Sequence, residues 1–130
     1  KRNEKGFSLV ELLIAVSLLG VGILAVAGMQ ASAINSNSFA NSHSVATTLA
    51  QETMEDILAR PTTDPLLAIG TRPYDLDPAS AANSLDVAGA GVFNAEMTVA
   101  TTAVFGVSRV MVQVTGKKST FRIIFYKRSL

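Results

Sequence analysis

The sequence predicts an α+β fold in which one long N-terminal α-helix packs on a small antiparallel β-sheet of three or more strands. Two observations predict the helix: an uncharged run from Leu12 to Met29, and apolar residues at helical spacing beyond it. A third predicts the sheet, because the C-terminal part alternates apolar and polar side chains, as strands do. With 130 residues, the chain has room for one membrane-type helix and one small soluble domain.

The first half of the helix, residues 7–30, is predicted to span a membrane. At ~1.5 Å per residue the uncharged run measures about 27 Å, close to the ~30 Å of bilayer hydrocarbon. Lys1, Arg2 and Lys5 favour a cytoplasmic N-terminus. Glu11 stands at the head of this run, where a bare carboxylate costs on the order of 2.5–3.5 kcal/mol at mid-bilayer. Glu11 is therefore expected to have a cationic partner.

The second half, residues 31–60, is predicted as an amphipathic helix. It opens with a stretch rich in asparagine and serine, and helical periodicity resumes beyond it. The apolar positions are Ala46, Leu49, Ala50, Met54, Ile57 and Leu58, and the polar positions opposite them are Gln51, Glu52, Glu55 and Asp56. Pro61 ends the helix at Arg60.

Residues 61–91 are predicted as a connecting loop and residues 92–130 as the antiparallel sheet. The loop holds all four prolines and shows no clear periodicity. Inward-facing residues of the three strands are Phe93, Ala95, Met97 and Val99; Val110, Val112 and Val114; and Phe121, Ile123 and Phe125. A hairpin connection is expected at 116–119. Residues 31–130 together are expected to form the soluble globular domain, with the apolar face of the sheet covering the amphipathic helix.

The residues that carry enzyme chemistry are scarce. There is one histidine, His43, and no cysteine, so nucleophile–base pairs and zinc sites of the usual ligand types are not expected. His43 is predicted as a solvated helix residue. Asp75, Asp77 and Asp86 could offer oxygen ligands to calcium, but the segment lacks the glycine turn and closing glutamate of an EF-hand loop. We therefore expect a protein that is not an enzyme and that has no cofactor and no metal.

The segment Lys5-Gly6-Phe7-Ser8-Leu9-Val10-Glu11-Leu12-Leu13-Ile14-Ala15 resembles the class III signal of type IV prepilins and type II secretion pseudopilins. The resemblance implies that residues 1–6 are a leader, that a prepilin peptidase cuts between Gly6 and Phe7, and that the new amine of Phe7 is methylated. It also implies that Glu11 pairs with the Phe7 amine of a neighbouring subunit during assembly. The fold expected from it is type IV pilin-like.

Two other interpretations of the N-terminus compete with this resemblance. A secretory signal peptide could use Ala31-Ser32-Ala33 as its cleavage site, but its apolar stretch is only ~7–15 residues long and carries no charge. A single-pass anchor explains the span and its orientation but not Glu11.

The function implied by the resemblance is that of a structural subunit of a type IV pilus or pilus-like filament. The segments 21–30 and 109–115 are similar to PilV-like minor pilins, which initiate or modify assembly. Implied partners are the prepilin peptidase/methyltransferase, other pilin subunits, an inner-membrane assembly platform and membrane lipid. The expected location is the bacterial inner membrane before assembly, and a periplasmic or extracellular filament afterwards.

Alternatives are a type II secretion minor pseudopilin, a major pilin and a DNA-binding competence pilin. The competence alternative makes nucleic acid a further, weaker partner hypothesis. It rests on a charge asymmetry, since no acidic residue follows Phe105 while six cations do: Arg109, Lys117, Lys118, Arg122, Lys127 and Arg128. Solvated charges that protect a sheet edge explain Lys117, Lys118, Lys127 and Arg128 equally well.

Overall fold

A computed structural model describes residues 8–80 and 82–128 of the protein. The chain divides into two compact units, Lys1–Asn37 and Ser38–Leu130. Helix α1 (Leu9–Ala59) belongs to both, and the sheet belongs to the second. The sheet consists of β1 (Gly70–Tyr74), β2 (Ser84–Val87), β3 (Gly91–Thr101), β4 (Val107–Gly116) and β5 (Thr120–Arg128). The predicted α+β fold, a long helix packed on an antiparallel sheet, is confirmed.

Helix α1 runs without interruption through the polar stretch that precedes its amphipathic part. Hydroxyl groups there bond to carbonyl oxygens one turn earlier: Thr47 Oγ1 donates to His43 O at 2.9 Å, and Thr48 Oγ1 donates to Ser44 O at 3.2 Å. Because these bonds stay within the helix, the hydroxyls are satisfied without interrupting it. The helix ends at Ala59, because Pro61 disfavours the helical conformation at Arg60.

The sheet is antiparallel throughout, with the order β1-β3-β4-β5. Strand β2 also pairs with β3, so β1 and β2 lie end to end along one edge of β3. The expected hairpin joins β4 to β5, and the N–H of Gly116 donates to the carbonyl of Ser119 at 2.8 Å.

The core lies between the sheet and the part of α1 that belongs to the second unit. The residues predicted to face inward from β3 and β4 are all buried, and those from β5 pack partly buried against them. From α1, the predicted residues Ala46, Leu49, Ala50 and Ile57 join this core.

Two features of the α1 pattern differ from prediction. Leu58 is 45% exposed and Met54 is half-buried, whereas Ser42 and Thr53 are buried. Thr53 lies one turn from both Leu49 and Ile57, so it shares their face, and its hydroxyl donates to Leu49 O at 2.8 Å. The hydroxyls of Ser42 and Ser119 lie 3.0 Å apart and satisfy each other. Small hydroxyl side chains can occupy a core face when such partners are present.

The segment 61–91 contains more regular structure than the connecting loop that we predicted. It holds a 3₁₀ helix (Pro65–Leu67), β1 and β2. The Asp64 side chain caps the 3₁₀ helix by accepting the N–H of Leu66 at 2.9 Å. The two strands are only five and four residues long. They are therefore too short to show a clear alternation, and the edge of β3 supplies their hydrogen-bond partners.

Lys127 corrects the prediction that it is a solvated edge charge. It is only 9% exposed, and its ammonium group donates to three backbone carbonyls at the end of α1: Ile57 O at 2.9 Å, Leu58 O at 2.7 Å and Arg60 O at 2.7 Å. The last turn of α1 contains no basic residue of its own. Lys127 therefore supplies the positive charge that the C-terminus of a helix favours. Lys117, Lys118 and Arg128 are exposed, and Lys118 also donates to Ser38 Oγ at 2.8 Å.

Candidate functional site

The candidate site is the N-terminal part of α1, whose large apolar side chains are uncovered. From Leu9 to Ile34 these side chains are exposed to solvent, and Leu9 and Leu24 reach 76% and 74%. By length and composition this part of the helix could cross a membrane. A contiguous apolar surface of this size marks a site that another protein or a lipid phase covers.

Ser8 caps the first turn of α1. Ser8 precedes the helix, and its side-chain oxygen accepts the backbone N–H of Glu11 at 3.4 Å, while the N–H of Leu12 donates to Ser8 O at 3.2 Å. Serine followed three residues later by glutamate is the pattern of such a cap. The Glu11 carboxylate also stands at the positive end of the helix dipole.

The spacing of Ser8 and Glu11 also suits the Glu11 side chain to a local capping role that is separate from any contact between subunits. Both tasks favour an acidic side chain at this position. Glutamine separates the two tasks, because it can also serve in a capping box but carries no charge to pair with an amine. Gly6 and Phe7, where cleavage and methylation are predicted, lie outside the residues that the structure describes.

Three glycines punctuate the same part of the helix, at Gly20, Gly22 and Gly28. A Cβ atom built on any of them would meet nothing within 4 Å. Packing within the described chain therefore does not require glycine there. Small residues on a membrane helix allow close approach of another helix.

The second unit carries a polar network where α1 ends. The hydroxyl of Tyr74 donates to Asp56 Oδ2, and the Arg60 guanidinium donates to Asp56 at 2.8 Å and to Asp64 at 3.1 Å. The Tyr74 and Arg60 hydrogen bonds lower the pKa of Asp56, and the N–H of Leu66 together with Arg60 lowers the pKa of Asp64. Burial and the bond to Asp56 raise the pKa of Tyr74 to about 12. The network ties α1 to the segment that follows it.

The remaining candidate residues have ordinary structural surroundings. Asp75 accepts the N–H of Asp77 at 3.0 Å, and Asp77 accepts the N–H of Ala79 at 3.2 Å, so both form turns of the chain. Within residues 8–80 and 82–128, no group of three or more acidic, histidine or cysteine residues could hold a metal ion. His43 is exposed, as predicted, and its ring meets that of Phe121 edge-on at 5.9 Å.

Comparison with known proteins identifies the N-terminal segment. Residues 1–27 match the family model described as the prokaryotic N-terminal methylation motif. The chain therefore carries the class III signal that its sequence resembles. Neither the comparison with curated proteins nor that with solved structures finds a match.

Sequence reasoning identified Glu11 but missed its cap, although Ser8 and Glu11 have the signature spacing of a capping box. It also missed the network around Tyr74. The two ion pairs of Arg60 follow i, i+4 spacing and were visible locally, whereas Tyr74 lies 18 residues from Asp56 and the two meet only in the fold.

Proposed function

We propose that this protein is a structural subunit of a type IV pilus or a pilus-like filament. The observation that carries the proposal is the coincidence of the methylation motif with a capped, fully exposed apolar helix that has Glu11 in its first turn. In this proposal, the apolar helix is held in the inner membrane before assembly. Burial among other subunits then replaces burial in lipid.

Processing supplies the cation that Glu11 requires. A peptidase cuts between Gly6 and Phe7, and a methyltransferase modifies the new amine of Phe7. Glu11 then pairs with the Phe7 amine of a neighbouring subunit. Because an unpaired carboxylate is costly in an apolar core, this pair defines the axial offset between subunits.

The subclass is a finer proposal. We propose a minor pilin that initiates or modifies assembly, on the similarity of segments 21–30 and 109–115 to PilV-like minor pilins. Low abundance in sheared filaments, measured by peptide mass spectrometry, is the expected result. A stoichiometric amount would instead indicate a major pilin, and recovery only from a secretion complex would indicate a pseudopilin.

Processing is tested by the intact mass of the membrane-extracted protein. The expected chain starts at Phe7 and carries one added methyl group. Gly6→Val is expected to leave the precursor uncut, because a side chain at this position blocks the close approach of the peptidase. A chain that starts after Ala33 would establish the secretory signal interpretation and overturn the proposal.

The assembly role of Glu11 is tested by comparing Glu11→Gln with Ser8→Ala. Glu11→Gln keeps the capping capacity and removes the charge, whereas Ser8→Ala removes the cap and keeps the charge. The proposal expects membrane insertion of both proteins, but a loss of filament incorporation for Glu11→Gln alone. Normal incorporation of Glu11→Gln would leave Glu11 only its local task and would contradict the mechanism.

A further inference from the structure

The outer face of the β4–β5 ladder combines arginines with exposed apolar side chains. We name this surface the cationic strip; its side chains alternate with the core residues of the same strands and are Arg109, Met111, Arg122, Ile124, Tyr126 and Arg128. The strand register sets Arg109 beside Tyr126 and Met111 beside Ile124. Ile124 and Tyr126 are 50% and 64% exposed. Arginine, tyrosine and methionine are enriched where proteins bind one another.

The positive charge of the cationic strip is not balanced on its own strands. Neither β4 nor β5 contains an acidic residue. Arg122 donates to the neutral Oε1 atom of Gln113, from Nε at 3.1 Å and from Nη2 at 2.6 Å. Among the residues that the structure describes, the salt bridges are those of Arg60 with Asp56 and Asp64. On the same outer face, the neighbouring strand β3 carries one exposed acid, Glu96, in register with Gln113, and no described salt bridge joins it to the strip. The strip therefore keeps an excess of positive charge that an external acid can meet.

An acidic surface lies at the opposite edge of the same unit. Glu52, Glu55 and Asp56 are exposed on α1, and their spacing of three and four residues places them on one side of the helix. Beside them is a cleft of about 210 Å³ between α1 and the segment that links β1 to β2. We name this surface the acidic cleft; its carboxylates are Glu52, Asp56 and Asp75, and its apolar side chains include Leu49, Leu76 and Leu85. Asp56 is already bound to Arg60 and Tyr74, so Glu52, Asp75 and the neighbouring Glu55 carry the charge available to a partner.

The two surfaces match in chemistry, because each combines charged groups with apolar side chains and the charges are opposite. They cannot meet within one chain. The sheet order puts β1 and β2 at one edge and β5 at the other, so the acidic cleft and the cationic strip lie on opposite sides of the second unit.

We propose that the cationic strip of one copy of this chain docks on the acidic cleft of a second copy. Such a contact joins two different surfaces, so each copy retains one free strip or one free cleft, and the contact can repeat along an open assembly. The inference rests on the proposed function, which places subunits side by side. It does not rest on the minor-pilin subclass, and a mixed dimer would count against a subunit that occurs singly.

Engineered crosslinking tests the contact directly, because the chain has no cysteine. One full-length copy carries Ile124→Cys and a second carries Glu52→Cys, and both are produced in the same membrane and treated with a short bismaleimide. The expected product is a mixed dimer, about tenfold more abundant than either same-site dimer. The control pairs Glu52→Cys with Asn94→Cys, which is exposed on β3 away from the strip.

Charge reversal tests the chemistry of the contact. The double substitution Arg109→Glu and Arg122→Glu is expected to reduce the yield of the mixed dimer about tenfold. The double substitution Glu52→Lys and Glu55→Lys is expected to reduce it equally, and in that copy the crosslinking cysteine is placed at Leu76. A mixture of the two reversed copies is expected to restore it. Lys117→Glu with Lys118→Glu changes the charge equally in the β4–β5 turn and is expected to leave the yield unchanged.

The outcomes separate this contact from the proposed function. Failure of the mixed dimer, or of its restoration, overturns the contact even if Glu11→Gln still blocks filament incorporation. A restored dimer together with normal incorporation of Glu11→Gln upholds the contact and contradicts the filament mechanism. Salt-sensitive retention of DNA that the Arg109 and Arg122 reversal abolishes, without a mixed dimer, would assign the strip to nucleic acid and overturn the proposal.

Discussion

Single residues separate what a sequence pattern can predict from what only the fold reveals. Glu11 was predicted as special because a charge beside a long apolar run is visible locally. Ser42 was not predicted as a core residue, since its partner Ser119 lies 77 residues away and a serine in a polar stretch resembles a solvent position. Lys127 was misassigned for the same reason. Its spacing continues the inward-facing series Phe121, Ile123 and Phe125, but that series was not extended to it, and the carbonyls that it binds belong to α1.

Removal of the Lys127 ammonium group is predicted to destabilise the second unit. Lys127→Met keeps the length of the side chain but leaves the carbonyls of Ile57, Leu58 and Arg60 without their donor. Hydrogen bonds to a charged group contribute about 1.5–3 kcal/mol, so we expect the free energy of unfolding to fall by about 2 kcal/mol in a denaturant titration. The matched control is Lys117→Met. Lys117 is exposed, so this substitution should change the free energy of unfolding by less than about 0.5 kcal/mol. An equal effect of the two substitutions would contradict the capping role.

The pKa of Tyr74 predicts a loss of stability in strong alkali. Its folded pKa of about 12 exceeds the ordinary value of about 10, so its contribution is fully present below pH ~10 and is lost as the pH rises through 12. The chain has two tyrosines, so Tyr126→Phe leaves Tyr74 as the only phenol. We expect the phenolate absorbance of that variant to rise with a midpoint near 12, whereas a midpoint near 10 would show that Tyr74 is neither buried nor bonded to Asp56.

Whole elements were predictable in proportion to their length. Strands β3, β4 and β5 have 11, 10 and nine residues, and their alternation is long enough to identify both the strand and its buried face. Strands β1 and β2 lack that length, and β1 contains Pro73, which confines it to a sheet edge. The full extent of α1 was predicted because Pro61 marks its end and the apolar periodicity resumes beyond the polar stretch.

The pairing of β3 with β4 depends on a glycine that faces a buried ring. Gly116 lies opposite Phe93 in the register, and a Cβ on Gly116 would come within 2.5 Å of that ring. Since Phe93 is fully buried, it cannot move without disturbing the core. Gly116→Ala is predicted to lower the free energy of unfolding by about 1–3 kcal/mol, the usual cost of overpacking. The neighbouring Thr115→Ala, at an exposed position, serves as control, and equal stability of wild type and Gly116→Ala would mean that the ring is free to shift.

The two units of the molecule differ in how their apolar surface is buried. The second unit contains the apolar core, whereas the described residues of the first contribute nothing to it. The first unit therefore depends on lipid or on other subunits for burial of its apolar surface, and the second does not. This division was visible in the sequence as a change from a continuous apolar run to an amphipathic pattern.

The division predicts that the second unit folds without the first. Deletion of everything before Ala31 should leave a protein that is soluble without detergent and unfolds in one cooperative transition, because the remaining part of α1 still covers the sheet. Two adjacent substitutions in that protein test the covering. Ile57 is fully buried and Leu58 is 45% exposed, so Ile57→Ala should cost about 2–5 kcal/mol and Leu58→Ala much less. A broad, non-cooperative transition, or equal effects of the two substitutions, would mean that the remaining part of α1 does not complete the core. The second unit would then need the apolar helix or a neighbouring subunit in order to fold.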